Sequence, residues 1–266
     1  MSRDLHGRRF LITGASRGIG RSVAEQLANF GTKLALVARS GDALTALAGK
    51  LTTNGASVFP LPADVTDAAQ RETIVRDAVG KMGGLDVLVN VAGVASFGHF
   101  DTSSEAVLRT IMEVNFFAPA ELMRLAAPHL MQGRQPAVVN VASICGRRGL
   151  PAWPEHSASK YALVGLCEAL RGEFARFDID VLVVLPGLVK SDDLGRHLLR
   201  NEGRMKMNFE GAQPPDEVAT AVIRALHRNR AETPVGWQAR WLSRANRWMP
   251  RFVDRMMAQK VRQLYS

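Results

Sequence analysis

The chain has 266 residues, among them 34 Lys or Arg, 25 Asp or Glu, six His, two Cys and two Tyr. With 47% hydrophobic residues it can bury a full core as one large domain, which excludes disordered, collagen-like and disulfide-stapled classes. The formal charge of +9 is uneven, because residues 237–266 hold seven basic side chains and one acidic, against 27 and 24 in the first 236; this argues against a nucleic-acid-binding body and moves the question of partners to the tail.

Short β-branched runs alternate along the chain with longer amphipathic stretches. Strands are predicted at 9–13 (RFLIT), 33–38 (KLALVA), 57–61, 85–91 (LDVLVNV), 136–142 (PAVVNVA) and 179–185 (IDVLVVL), with helices between them at about 18–30, 41–53, 67–82, 104–131 and 155–176. Strands separated by helix-length segments need crossover connections, which produce a parallel sheet covered on both faces. The expectation is therefore a doubly wound, Rossmann-type α/β fold over residues 1–236, followed by an extension at 237–266. Cys145 and Cys167 lack CxxC or metal-ligand spacing and read as small apolar fillers in a reducing compartment. No run reaches the roughly 18–20 apolar residues of a spanning helix, and MSRDLHGRRF has no apolar signal core, so a cytoplasmic protein, at most peripheral to a membrane, is expected.

After the first strand comes Thr13-Gly14-Ala15-Ser16-Arg17-Gly18-Ile19-Gly20, followed at once by a helical pattern. Strand, glycine turn and helix N-terminus together form an anion site, because unpaired backbone N–H groups and the helix dipole point at a pyrophosphate. Further along stand Asp64 in Ala63-Asp64-Val65, Asn90-Val91-Ala92-Gly93, Asn115 in Val114-Asn115-Phe116, Ser143 after the fifth strand and Pro186-Gly187-Leu188-Val189 after the sixth. The spacing G-x-x-x-G-x-G and this ordered set resemble the short-chain dehydrogenase/reductase family from about residue 8 to 236.

The resemblance implies a nicotinamide dinucleotide cofactor. Asp64 with Val65 would hold the adenine, Asn90, Ala92 and Gly93 would lie along the adenosine side, and Pro186, Gly187 and Val189 would pack against the nicotinamide. The second strand ends at Ala38-Arg39-Ser40, where an NAD-preferring member would carry an Asp for the ribose hydroxyls. Arg39 instead offers a guanidinium fork to a 2′-phosphate, and Arg17 adds a second positive charge, so NADP is expected.

In that family the working group is Ser, a Tyr thirteen residues later and a Lys four beyond it, supported by an Asn. Here Ser143 and Lys160 are in place, with Asn115 as the expected support of Lys160, but the tyrosine position is His156. No shift of register repairs this: Tyr161 lies about 100° further round the helix than Lys160, and Tyr265 is one residue from the end. Imidazole can serve as a donor, and Lys160 and an oxidised nicotinamide should both lower its pKa. Carbonyl reduction weaker than that of a tyrosine enzyme is expected. The remaining histidines, His6, His99, His129, His197 and His227, have no partner at ligand spacing.

Residues 191–213 occupy the place of the family's substrate lid, where Leu194, Leu198, Leu199, Met205, Met207 and Phe209 suggest an apolar small molecule, with room for an acidic group near Arg196, Arg200 or Arg204. The alternative there is a solvated loop. On one helix the tail would place Arg240, Arg244, Arg247, Arg251, Arg255 and Arg262 in a stripe beside Trp241, Ala245, Met249, Phe252, Val253 and Met256, with Trp237 and Trp248 at the boundary and a break near Pro250. Indole beside arginine suits a membrane interface; dimer packing or a cover over the substrate mouth is the competing reading. Helices 104–131 and 155–176 correspond to those through which relatives form homo-oligomers. Three functions stay open: an NADP-dependent oxidoreductase of a carbonyl or alcohol, an imine or alkene reductase or non-redox enzyme on the same scaffold, and a catalytically silent NADP-binding protein.

Overall fold

A computed structural model describes residues 2–53, 55–190, 198–202 and 211–265. The β-branched runs predicted from sequence become strands β1 (Arg9–Thr13), β2 (Lys33–Ala38), β3 (Ser57–Pro62), β4 (Val87–Asn90), β6 (Ala137–Val141) and β7 (Asp180–Leu185). Together with β9 (Glu232–Pro234) they form one parallel sheet in the order β3-β2-β1-β4-β6-β7-β9. Register is set by which face each side chain must fill. Phe10 and Ile12 of β1 pack to one side with Val87 and Val89 of β4, whereas Leu11 and Leu88 pack to the other.

The first side is closed by α1 (Gly18–Ala28), α2 (Gly41–Thr52) and α7 (Pro215–Arg228), and the second by α3 (Ala68–Met82), α5 (Ala118–Leu130) and α6 (Pro154–Phe174). With both faces covered, the central strands lose the apolar-polar alternation of a half-exposed sheet, which is why β4 and β6 are buried throughout and apolar except at Asn90 and Asn140. The chain leaves β1 toward β2 on one side and returns to β4 on the other. A crevice therefore opens at the C-terminal ends of β1 and β4.

Three features depart from the expected element order. The helix predicted over 104–131 is α4 (Glu105–Met112) and α5 joined by a π turn at Glu113–Phe117. A small parallel pair, β5 (Ala95–Phe97) and β8 (Leu198–Asn201), is too short to leave a periodic signal. The tail divides into α8 (Gly236–Trp248) and α9 (Pro250–Tyr265), with Pro250 at the first helical position where its missing N–H costs nothing.

The expected single apolar face of that tail is corrected. Ala245 and Val253, with Ala239 and Leu242, bury against Ile144, whereas Trp241, Met249 and Phe252 face outward with Trp237 and Trp248. The break at Pro250 resets the helical phase, so one wheel cannot describe both helices. Of the lid residues, Leu194, Arg196, Arg204, Met205, Met207 and Phe209 lie outside the described residues. Arg200 in β8 is buried and committed to Glu202 at 2.8 Å, to the His99 carbonyl at 2.7 Å and to Thr102, so it is not placed to hold an acidic substrate group. Among the described residues no helix is long and apolar enough to cross a membrane.

Candidate active site

The glycine turn sits at the crevice, and two of its positions leave no room for a side chain. Gly14 has φ +67°, and a Cβ there would lie 2.8 Å from the Ala92 nitrogen; a Cβ on Gly20 would run into the Gly14 carbonyl. Thr13 Oγ1 accepts from the N–H groups of Val91 (3.1 Å) and Ala92 (3.2 Å), which ties the end of β1 to the chain leaving β4. The α1 helix then starts at Gly18 with Arg17 as N-cap and no side-chain cap, so its first N–H groups are available to an anion. Ser16 and Ile19 are half-buried in the turn and Arg17 is exposed.

Neighbouring strand ends bring the other predicted residues to the same edge. Arg39 is exposed directly after β2. Asp64, after β3, accepts from the N–H (2.9 Å) and hydroxyl (2.8 Å) of Thr66, and Val65 is buried beside it. Asn90 turns its side chain inward, where Nδ2 donates to Asn140 Oδ1 at 2.9 Å and clamps β4 to β6; its backbone, with Ala92 and Gly93, remains at the crevice. A nicotinamide dinucleotide fits this cradle: the glycine turn admits a close backbone approach, and the outer edge carries guanidinium groups rather than an acid.

Ser143 follows β6 and caps a short turn, its Oγ accepting from the Cys145 N–H at 3.1 Å. In α6, Pro154 starts the helix, and His156 and Lys160 follow one turn apart on one face. Lys160 is buried and its Nζ donates to the Val141 carbonyl at 3.2 Å. Burial pulls its pKa down to about 8, against a smaller opposing effect of the Cys145 and Cys167 thiols. A Cβ on Gly93 would stand 3.2 Å from Asn115 Oδ1 and 3.7 Å from Lys160 Nζ, so these three residues surround one point.

Asn115 is held by the π turn with no exposed surface. Its Oδ1 accepts from the Val94 N–H at 2.9 Å, and its Nδ2 donates to the Val94 carbonyl at 2.9 Å and to Ser159 Oγ at 3.0 Å. Ser159 in turn donates to the His156 carbonyl at 2.8 Å. Asn115 thus locks the loop after β4 to the helix that carries His156 and Lys160.

The His156 ring is half-buried, edge-on to Trp153 at 5.8 Å between centroids, and Trp153 is edge-on to Phe97 at 5.1 Å. Its Nδ1 lies 3.4 Å from the Val94 carbonyl oxygen. A carbonyl can only accept, so Nδ1 carries the proton and Nε2 presents a lone pair. Burial foremost, then the Lys160 cation, lowers the imidazole pKa from 6.5 to about 3, with the Val94 carbonyl opposing. Tyr161 lies off this face and is exposed.

The chain after β7 closes the far side. The Pro186 carbonyl accepts from the Ile144 N–H at 2.9 Å, Gly187 N–H reaches Gln213 Oε1 at 3.3 Å, and Val189 pairs with Gln213. Gln213 was not among the predicted residues, nor were the Val94 carbonyl or Glu155, a buried acid that accepts from Ser96 Oγ at 2.9 Å. A strap formed by one side chain across 26 residues and a backbone carbonyl carry no local sequence signal.

Comparison with known proteins agrees with this fold. A family model described as short chain dehydrogenase matches residues 8–201. Ketoacyl reductase HetN of Nostoc is 31% identical over 231 residues, covering 87% of this chain and 79% of its own. Among solved structures, a Burkholderia phymatum short chain dehydrogenase/reductase in complex with NAD aligns with TM-score 0.83 at 26% identity, over 92% of this chain and 94% of its own. A Burkholderia cenocepacia short chain dehydrogenase in complex with NADP aligns with TM-score 0.82 at 25% identity, over 96% and 99%.

Proposed function

The chain belongs to the short-chain dehydrogenase family and is an NAD(P)-dependent oxidoreductase, and from that premise we propose that it uses NADP to interconvert an alcohol and a carbonyl on an apolar small molecule, with His156 where the family has its tyrosine. The observation that carries this reading is the His156 ring itself: one turn from Lys160, Nδ1–H held toward Val94, and Nε2 left for a substrate oxygen.

When bound, the nicotinamide supplies or accepts the hydride at C4. The glycine turn from Gly14 to Gly20 would hold the pyrophosphate, and Arg17 and Arg39 would meet the 2′-phosphate. An acid in place of Arg39 would repel that phosphate, which favours NADP over NAD. Lys160, kept cationic at neutral pH by a pKa of about 8, would hold the ribose hydroxyls. Ser143 would donate its hydroxyl to the substrate oxygen and orient it.

The proton direction follows from the tautomer. In alcohol oxidation Nε2 accepts the hydroxyl proton of the substrate while the hydride leaves the same carbinol carbon. In carbonyl reduction an imidazolium would have to return that proton to the alkoxide oxygen, and a pKa of about 3 makes this form scarce at neutral pH. The scarcity of that form supports a second reading, in which the acceptor is an imine or activated alkene, or in which NADP is bound without turnover.

Incubation with NADP and secondary alcohols, and with NADPH and ketones, imines and enones, followed at the nicotinamide absorbance, tests these readings. Oxidation of apolar alcohols is the expected result. Turnover confined to imines or enones would move the assignment to the second reading, and tight NADPH binding with no turnover would leave a binding protein.

A further inference from the structure

Helix α8 is amphipathic twice over. Ala239, Leu242 and Ala245 bury on one side against Ile144, with Val253 of α9 in the same cluster. At about 100° per residue, Trp237, Trp241 and Trp248 fall within about 40° of one another, and Leu242 stands about 120° away. These indoles do not belong to the docked face: Trp237 is 73% exposed, Trp241 47% and Trp248 78%, and Met249, between the two helices, and Phe252, in the first turn of α9, are exposed at 54% and 53%. Five large apolar side chains exposed within sixteen residues of chain mark an interaction surface.

The charge beside them identifies that partner. Arg240, Arg244 and Arg247 follow the indoles on the flank away from the body, and Arg251, Arg255 and Arg262 continue along α9, all exposed. The guanidinium of Arg247 lies over the Trp248 ring at 5.9 Å. Asp254, the tail's one acid, is engaged by Arg148 at 2.5 Å. A second copy of this surface would bring like charges together, and a protein core would strip water from six guanidinium groups. An anionic lipid headgroup layer satisfies both parts, because indole and phenyl rings enter the interface while arginines meet phosphate.

We infer that α8 and the start of α9 dock this protein on the surface of an anionic membrane, through Trp237, Trp241, Trp248, Met249 and Phe252 with the flanking arginines. The surface is already built. Asn246 donates to the Arg147 carbonyl at 2.9 Å, and Arg148 donates to Asn246 at 3.1 Å and also pairs with Asp254, so both helices are tied to the loop that follows Ser143. Binding therefore orders no new segment, and it brings the catalytic segment close to the lipid.

The test is co-sedimentation of the full chain with vesicles of phosphatidylcholine alone or of phosphatidylcholine with phosphatidylserine. The protein should partition to the anionic vesicles at least about tenfold better, with salt reversing the difference. The triple substitution Trp237→Ser, Trp241→Ser, Trp248→Ser, and separately Arg240→Gln, Arg244→Gln, Arg247→Gln, should each reduce partition by about tenfold or more. Brominated lipid should quench most of the wild-type emission, since three of the four tryptophans lie on this surface; this readout needs no variant to fold. A wild-type chain that stays in solution with both vesicles, or tryptophans that brominated lipid does not quench, would overturn the inference. So would a lipid-free oligomer that the tryptophan variant dissociates, since the surface would then belong to a second protein chain.

Discussion

Replacing His156 by tyrosine should accelerate carbonyl reduction. With a pKa of about 3 the imidazole is protonated in about one molecule in 10⁴ at neutral pH, so reaching the acidic form costs about 5 kcal/mol. A positioned general acid contributes about 10²–10⁴ in rate, and a tyrosine hydroxyl beside the Lys160 cation carries its proton throughout the neutral range. His156→Tyr should therefore raise kcat/KM for ketone reduction at neutral pH by about 100-fold. The pH profile separates causes: wild-type reduction should fall about tenfold per pH unit across the neutral range, following the imidazolium, whereas the variant's should be nearly flat. The assay is NADPH oxidation at several pH values, with cofactor affinity and near-ultraviolet circular dichroism as checks that the variant is folded. A folded variant with unchanged turnover and an unchanged profile would refute the role given to this position.

Other consequences can be measured independently. Arg39→Asp should cost about 10–100-fold in NADP affinity while improving NAD binding, read from the ratio of KM values, since one charge-assisted hydrogen bond is lost and a repulsion introduced. The depressed His156 pKa destabilises the fold in acid: from about pH 6.5 down to about 3 the unfolded chain binds a proton that the folded chain refuses, so stability falls as pH drops, by up to about 5 kcal/mol before solvent access is discounted. His156→Gln should flatten that part of the urea midpoint against pH. For Lys160 the folded pKa of about 8 lies below the usual 10.5, so burying the ammonium costs about 3 kcal/mol at neutral pH, a cost relieved as pH rises from about 8. Lys160→Met should raise the Tm of the cofactor-free chain and abolish turnover. Gly20→Ala should remove NADPH binding in a titration, because its Cβ collides with the Gly14 carbonyl.

Much of this was legible in the sequence because it is local. The alternation in RFLIT sets which residues of β1 face each layer, the glycine turn needs residues without Cβ, and the spacing of His156 and Lys160 puts both on one face of α6. What could not be read acts through the backbone or over long separations. The Val94 carbonyl chooses the His156 tautomer, yet a carbonyl is common to every residue. The expected lowering of the His156 pKa rested on Lys160 and a nicotinamide, whereas burial is the larger cause and depends on how α6 packs. Arg200 looked like a substrate contact until β8 placed it against Glu202 and Thr102. The tail misled a single helical wheel because only part of the apolar arc of α8 is covered: Ala245 packs toward Ile144, whereas Trp241, one turn earlier, lies beyond the edge of that contact and is exposed.

The decisive measurement is where the nicotinamide lies relative to the His156 imidazole. A crystal structure with NADPH and an apolar ketone is predicted to show the nicotinamide against Pro186 to Val189, the ketone oxygen within hydrogen-bond reach of Ser143, His156 Nε2 directed at the same oxygen, and Nδ1 still held by the Val94 carbonyl. An imidazole turned into the core with Nε2 away from the ketone, or a dinucleotide bound outside the turn from Gly14 to Gly20, would contradict it.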